Sequence, residues 1–174
     1  YAFRHPLIRD VAYESQLAVD RAELHRRVAR AIADDDTDSA DRNAAEIADH
    51  LELAGDLVDA FDWHMRAGDW LATRDIEAAR SSWRRARDVA DSLAPEHENT
   101  VSMRMAARVP LVGTAWRVAS PVAEAGYDEL RKLAVESGDN TALAIAMFGQ
   151  TAHLSMHYQF DAASRLGSEL KALT

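Results

Sequence analysis

The apolar residues of this 174-residue chain recur at helical spacing along almost its whole length. From residue 76 onward, for example, Ile76, Ala79, Trp83, Ala86 and Ala90 lie three or four positions apart. This spacing puts apolar side chains on one face of a helix, whereas in strands they would alternate every second residue. Seven glycines and four prolines leave long stretches free of helix breakers. The sequence therefore predicts an all-α fold of paired helices, an α-α superhelix of helical hairpins.

Prolines, glycines and polar runs divide this pattern into nine predicted helices. Asp20 followed by Glu23 has the form of an N-terminal capping box, with Leu24, Val28, Ala31 and Ile32 as the apolar face of the helix that follows. Residues 34–38 form an acidic loop, and Pro110 is expected to kink the sixth helix. A short strand end is expected at residues 1–4. The predicted helices cover about residues 6–17, 20–32, 44–54, 57–70, 76–93, 96–118, 121–137, 140–158 and 161–174.

The hairpin between residues 57 and 94 carries the most specific pattern. Large and small residues alternate at spacings of four and then three on both of its helices, at Trp63, Ala67, Trp70, Ala79, Trp83 and Ala86. Two helices approach closely where small side chains face each other, so Ala67 and Ala79 make room at the contact. The tryptophans are expected to fill the wedge between this hairpin and its neighbours.

This hairpin resembles the tetratricopeptide repeat over about 34 residues. Two positions depart from that repeat: Arg66 stands where leucine is usual, and Pro95 comes one turn after the usual closing proline. A degenerate copy is expected near the C-terminus, where Gly167 replaces an aromatic residue. The resemblance implies a tetratricopeptide-like array with irregular repeats. It also implies a partner-binding surface on the first helix of the hairpin, exposing Phe61, His64, Gly68 and Leu71.

A second resemblance concerns the context of this array. The stretches involved are residues 3–13 (Phe-Arg-His-Pro-Leu-Ile-Arg-Asp-Val-Ala-Tyr), residues 21–29 (Arg-Ala-Glu-Leu-His-Arg-Arg-Val-Ala), and residues 43–93 with His50, Ala54-Gly55-Asp56 and Ala67-Gly68-Asp69. Together they look like the junction in bacterial STAND-type signalling ATPases, actinobacterial members included. That junction follows a nucleotide-binding module and a winged-helix region and leads into tetratricopeptide-like repeats. Some members carry an adenylate or guanylate cyclase domain, and others a LuxR-type DNA-binding domain that regulates transcription.

The resemblance implies a division of labour between this chain and its neighbours. Residues 1–40 would be junction helices after a winged-helix region, and residues 41–174 the helical array. The chain holds no glycine-rich phosphate loop, since neither Lys132 nor Lys171 follows such glycines. ATP would therefore bind to a neighbouring domain, and this segment, with no cofactor of its own, would not be an enzyme. Its role would be protein interaction and regulation, with a protein or peptide partner that includes its own ATPase core.

Charge and composition exclude several other classes of function. The 29 acidic against 20 basic residues give a net charge of −9, which repels nucleic acid and anionic membranes. No apolar run reaches the roughly 20 residues of a bilayer span. The absence of cysteine removes disulfides and thiolate metal sites and favours a reducing, cytoplasmic location. Because the chain starts at Tyr1 and ends within a predicted helix, we expect it to continue at both ends in the natural protein.

An alternative interpretation is a stand-alone helical metal-binding enzyme that uses His153 and His157. These two histidines lie one helical turn apart, but a zinc site needs a third protein ligand, and Leu154 stands where the zinc proteases of this spacing carry glutamate. We therefore expect no metal site there. Glu46 and His50 have the same spacing, and a hydrogen bond on the helix surface is their expected role.

A cluster of arginines offers a third hypothesis, direct DNA binding through Arg80, Arg84, Arg85 and Arg87. Against it, Asp88 and Asp91 follow Arg84 and Arg87 at the i+4 position, which favours a solvated face of ion pairs. Ser81 and Ser82 lie in the same stretch, but neither a histidine base nor a carboxylate accompanies them in the sequence. No catalytic residue is predicted.

Overall fold

A computed structural model of the chain describes residues 17–34, 36–118 and 126–173. These residues form an all-helical structure in which each helix packs against its neighbours. A single 3-10 turn, Ala115–Arg117, interrupts the α-helices. The nine α-helices in the described part are α1 Ala18–Ala33, α2 Thr37–Arg42, α3 Ala44–Ala54, α4 Leu57–Leu71, α5 Ile76–Ser92, α6 Thr100–Gly113, α7 Tyr127–Ser137, α8 Asn140–Met156 and α9 Phe160–Leu173.

The predicted hairpin is present as α4 and α5. A four-residue connection turns the chain back, and Asp75 caps α5 by accepting a hydrogen bond from the backbone N–H of Ala78 at 3.0 Å. Four of the six repeat residues are buried in the core: Ala67, Ala79, Trp83 and Ala86. Trp63 and Trp70 are half-buried. The side chains of Arg66 and Arg74 lie over their rings, at 4.6 Å and 4.2 Å from the ring centroids.

Helix α3 confirms a second prediction of the sequence. The five apolar residues at helical spacing along this helix are all buried: Ala44, Ile47, Ala48, Leu51 and Ala54. It ends at Gly55, which adopts the left-handed conformation with φ of 81° that closes many helices. On the neighbouring elements, Ala29 of α1, Ala60 of α4 and the half-buried ring of Trp63 join Ile47 and Leu51 in one apolar cluster. Trp63 therefore fills the space between the hairpin and its neighbours, as expected.

The region before α3 corrects three predictions. Helix α1 starts after Leu17 with no side-chain cap, so the predicted Asp20–Glu23 capping box is absent. Ile32 packs on the core as predicted, but Leu24 and Val28 are 42% and 41% exposed, and Ala29 is buried instead. Part of the predicted acidic loop is the short helix α2, whose start is stabilised by a hydrogen bond from the backbone N–H of Ser39 to the Asp36 carboxylate.

The sixth helix is shorter than predicted at both ends. It begins at Thr100, because Asn99 has a positive φ of 66° and the Thr100 hydroxyl donates to the carbonyls of Ala94 and His97 in the preceding turn. It ends at Gly113 and is followed by the 3-10 turn. Pro110 lies inside its last turn. The predicted single helix over residues 96–118 is therefore wrong in its boundaries, although the helix itself is confirmed.

Helices α7, α8 and α9 form a second part of the core with the end of α6. Its buried members include Tyr127 and Leu130 from α7, Ala146 and Met147 from α8, and Leu166 from α9. The close approach of α8 to α6 depends on Gly149, where an added Cβ would lie 2.5 Å from the carbonyl oxygen of Val112. The large apolar residues at helical spacing in α7 are buried, namely Tyr127, Leu130 and Leu133. The last helix begins at Phe160 rather than at residue 161.

Several predictions fall on residues outside the described part of the chain. They are the strand end at residues 1–4, the helix at residues 6–17 and the start of a helix at Pro121. The predicted boundary between residues 40 and 41 falls within α2, and the division into junction and array stays a prediction. Within residues 17–34, 36–118 and 126–173, none of the helices combines the length and apolar character that a bilayer span requires.

Candidate interaction cleft

A cleft of about 580 Å³ opens between the three successive helices α3, α4 and α5. Two carboxylates, a histidine and an arginine from these helices meet in it. Because the side chains that line it come from residues up to 40 positions apart in the sequence, helix pairing alone brings them together. The lining residues are Ala45, Asp49, Glu52, Leu53, His64, Ser81, Ser82 and Arg85.

Glu52 lies at the centre of the polar contacts in this cleft. Its Oε1 is 2.6 Å from Nε2 of His64, and its Oε2 is 3.1 Å from Nη2 of Arg85. The carboxylate of Asp49 lies farther out, at 4.0 Å from His64 and 3.8 Å from Arg85. Glu52 therefore joins α3 to both helices of the hairpin, while Asp49 and Arg85, at 61% and 54% side-chain exposure, remain available to solvent.

The burial of His64 determines which of its ring nitrogens carries the proton. Only 2% of the residue is exposed, and its Nδ1 is a buried atom with no hydrogen-bond partner. A buried N–H without an acceptor costs free energy, and Nε2 already faces the carboxylate of Glu52. The geometry therefore favours the tautomer in which Nε2–H donates to Glu52 and Nδ1 keeps its lone pair.

The cluster of carboxylates and histidine in this cleft has side chains that could bind a cation. Within the described residues, Asp49, Glu52 and His64 form a group whose potential ligand atoms all lie within 4.8 Å of one another. A metal on Nε2 would force the proton onto Nδ1, yet ligating histidines almost always donate their second N–H to an acceptor, and here none is present. Arg85 also already supplies a positive charge to Glu52. The cluster is therefore better described as an ion-pair network.

The cleft also brings a histidine and carboxylates near Ser81 and Ser82, a proximity that the sequence did not reveal. The serine hydroxyls, however, do not contact the imidazole. Ser82 Oγ donates to the carbonyl of Ala78 at 3.3 Å, and neither nitrogen of His64 is bonded to a hydroxyl. A nucleophile activated by a neighbouring base requires that contact. The arrangement lacks the geometry of a serine hydrolase.

The predicted partner-binding residues are mostly not on the surface. Phe61 is 5% exposed and packs among side chains of α5 and α6, and His64 forms the base of the cleft. Gly68 is buried against the indole of Trp83, and Leu71 is half-buried. The expectation that these four residues are exposed is therefore wrong for Phe61, His64 and Gly68. It failed because α4 is covered by neighbours on more sides than the repeat pattern implies.

The arginines of α5 do not form one basic face either. Arg80 is fully buried and donates to the carbonyl of Leu111 and the hydroxyl of Thr114, at 2.6 Å and 2.8 Å. Arg85 turns into the cleft, and Arg87 pairs with the adjacent Asp88. Arg85 and Arg87 therefore form ion pairs other than the predicted i+4 pairs within α5. The arginines of α5 also point in different directions.

Asp91, the predicted partner of Arg87, bonds across to α6 instead. Its carboxylate accepts hydrogen bonds from Arg108 at 2.7 Å and 3.0 Å and lies 3.7 Å from Arg104. This ion pair ties the second helix of the hairpin to the next helix of the chain.

Two histidine pairs lie outside the cleft. The rings of His153 and His157 lie 4.3 Å apart, and burial, followed by the neighbouring His157, lowers the pKa of His153. The potential three-ligand cluster found within residues 17–34, 36–118 and 126–173 does not include them. The expected hydrogen bond between His50 and Glu46 is not formed. Instead, Nδ1 of His50 lies 2.8 Å from Nδ1 of His25 on α1.

Comparisons of the chain with protein-family models, with curated proteins and with solved structures give no match. The fold and the geometry of the cleft therefore carry the functional argument.

Proposed function

We propose that this chain is a non-catalytic interaction and regulatory arm of a multidomain ATP-binding signalling protein of the STAND type. In this proposal the helices form a tetratricopeptide-like superhelix with irregular repeats, and the arm binds a protein partner, its own ATPase core included. The ATPase activity, and a cyclase or transcriptional output, belong to neighbouring domains. The arm works in the cytoplasm and binds neither nucleic acid nor membrane.

The observation that carries this proposal is the α4–α5 hairpin. Its alternation of large and small residues brings Ala67, Ala79, Trp83 and Ala86 into the core, as a stacked helical repeat requires. The neighbouring helices α3 and α6 pack on the two sides of this hairpin. Stacked hairpins of this kind form extended surfaces that repeat proteins use to bind partners.

The cleft gives the proposal a specific surface. Asp49 and Arg85 offer exposed charges of opposite sign, and Leu53 beside them is 60% exposed. Charged groups at the rim of a surface steer and orient a partner, while an exposed leucine adds apolar contact area. The cleft thus replaces Phe61, Gly68 and Leu71 as the candidate contact surface, with His64 retained at its base.

A regulatory arm changes the output of its protein only if its partner binds more tightly to one of two arrangements of the arm relative to the ATPase core. We therefore expect binding to the ATPase core to depend on the bound nucleotide. The test is a fluorescence anisotropy titration of the labelled 174-residue chain with the nucleotide-binding module of the protein that contains it, loaded with ATP or with ADP. Saturable binding that differs between the two nucleotides supports the proposal. No saturable binding in either state would overturn it.

A further inference from the structure

His25 on α1 and His50 on α3 form a direct contact between two ionisable rings. Their Nδ1 atoms lie 2.8 Å apart, and the ring centroids lie 5.1 Å apart with a tilt of 32°. Both residues are half-buried. The contact bridges 25 positions of sequence, so it holds the first described helix against the helices that follow.

A hydrogen bond between two ring nitrogens needs one N–H and one lone pair. The contact can therefore form when both rings are neutral, or when one carries the single extra proton. A second extra proton would put two N–H groups face to face at this distance and place two positive charges next to each other. When both rings are protonated, neither Nδ1 has a lone pair, so no hydrogen bond can form between them.

We propose that the His25–His50 contact is a pH-sensitive joint that strengthens the attachment of α1 to the helical array at neutral pH and weakens this attachment on mild acidification. The proposal does not depend on the function proposed above. It assigns to this segment a conformational response to pH, located at the junction between α1 and the rest of the described helices.

The surroundings of the pair set the direction of the response. Burial, then the charge of His50, then that of Arg21 lower the pKa of His25 below its ordinary value of 6.5. The folded chain therefore binds the proton more weakly than the unfolded chain does. Stability from this contact is complete above the unfolded pKa and is lost as the pH falls through the lowered pKa of the folded state.

Other charged groups lie on the described helices around the joint. On α1, Arg21 adds to the repulsion. On α3, Glu46 precedes His50 by one turn and forms no bond with it, and Asp49 faces the cleft. On α2, the charge of Asp41 is paired with Arg66.

The ion pair between Arg26 and Asp56 is a second tie between α1 and the start of α4. Arg26 Nε lies 2.7 Å from the Asp56 carboxylate, and its guanidinium also donates to the carbonyl of Ala54. The hydrogen bond from Arg26 lowers the pKa of Asp56 from 3.8. This pair therefore stays charged through the range in which histidine titrates, so α1 keeps this ion pair and its apolar contact through Ala29 while the histidine contact opens.

The test is hydrogen exchange of the whole chain from about pH 8 to about pH 5, the range in which histidine titrates, with rates corrected for intrinsic chemistry. The expected result is that amide protection in α1 falls at least about threefold relative to α5, because opening of the histidine contact raises the population of locally unfolded α1. In His50→Gln and in His25→Gln, which keep a hydrogen-bonding side chain that does not titrate, this relative loss should disappear.

The matched control is His157→Gln, which removes an exposed histidine from the other histidine pair and should leave the response of α1 unchanged. Equal loss of protection in α1 and α5 in the wild-type chain would overturn the proposal. So would an unchanged response in both glutamine variants, or loss of the response in His157→Gln. If one of the two glutamine variants does not fold, the other decides the question.

Discussion

The indole of Trp83 lies directly against the backbone of Gly68, so closely that a Cβ added at Gly68 would be 2.2 Å from Nε1 of the indole. The same Nε1 is 3.3 Å from the carboxylate of Asp69, to which it donates. Trp83 is 2% exposed and packs with Ala79 and with Leu111 of α6. The contact between the two helices of the hairpin thus depends on a position with no side chain.

Gly68→Ala should therefore destabilise the chain. The added methyl group cannot fit without a shift of the large, enclosed indole, and overpacking of this kind costs about 1–3 kcal/mol. Urea unfolding followed by circular dichroism measures the change. The matched control is Gly167→Ala, because a Cβ there has no neighbour within 4 Å. That variant should gain up to about 1 kcal/mol from the higher helix propensity of alanine. Equal effects of the two substitutions would contradict the structure.

Arg80 predicts a second stability effect. It supplies donors to the Leu111 carbonyl in the last turn of α6 and to Thr114, where helical carbonyls lack partners within the helix. Arg80→Met removes these donors inside the core and should cost about 1–3 kcal/mol. Arg84→Met, one turn later on the same helix but half-buried, should change stability by no more than about 0.5 kcal/mol. If Arg80→Met lowers the free energy of unfolding no more than Arg84→Met does, the buried contacts of Arg80 do not stabilise the fold.

Two substitutions at Glu52 distinguish its hydrogen bond with His64 from its ion pair with Arg85. Glu52→Gln keeps an acceptor for His64 and removes only the charge partner of the half-exposed Arg85, so it should cost no more than about 1 kcal/mol. Glu52→Leu leaves the buried N–H of His64 without an acceptor and should cost about 1–3 kcal/mol more. The urea concentrations at the unfolding midpoints of the two variants are compared, and their m-values should be equal so that the midpoints report stability. If glutamine and leucine are equally tolerated, the proton of His64 does not lie on Nε2.

His153 at the end of α8 and His157 just after it predict that removal of metal will have no effect, which tests the metal-enzyme hypothesis. His153 and His157 have no third ligand group close to them within the described residues, and two histidines alone hold a zinc ion weakly. Prolonged treatment with a chelator should leave the melting temperature of the chain unchanged. A drop of several degrees, reversed by added zinc and abolished in His157→Gln, would support the metal site instead.

Helix positions were largely predictable from the sequence, because periodicity and glycine stops act locally. The core of α3 and the repeat residues of α4 and α5 follow directly from spacing. The buried face of α1 was predicted only in part: Ile32 packs on the core, but Leu24 and Val28 are exposed and Ala29 is buried instead. Which of two faces becomes buried depends on what packs there, and one-dimensional spacing does not contain that information.

The cleft was beyond prediction for the same reason. Glu52, His64 and Arg85 lie on three different helices, and only the angles between these helices bring their side chains into contact. One signal was present in the sequence: His64 lies one position after Trp63 and three before Ala67, within the most regular part of the repeat. A histidine at such a position is either exposed or paired inside the core, and the structure shows the second case.

We propose that this chain responds to the nucleotide bound by the protein that contains it. Hydrogen exchange of that full-length protein, compared between its ATP-bound and ADP-bound forms, tests the proposal. We expect amide protection to change in α3 and α5 around the cleft, while the buried contact of α8 with α6 at Gly149 stays constant. Identical exchange throughout α1 to α9 in both nucleotide states would contradict it.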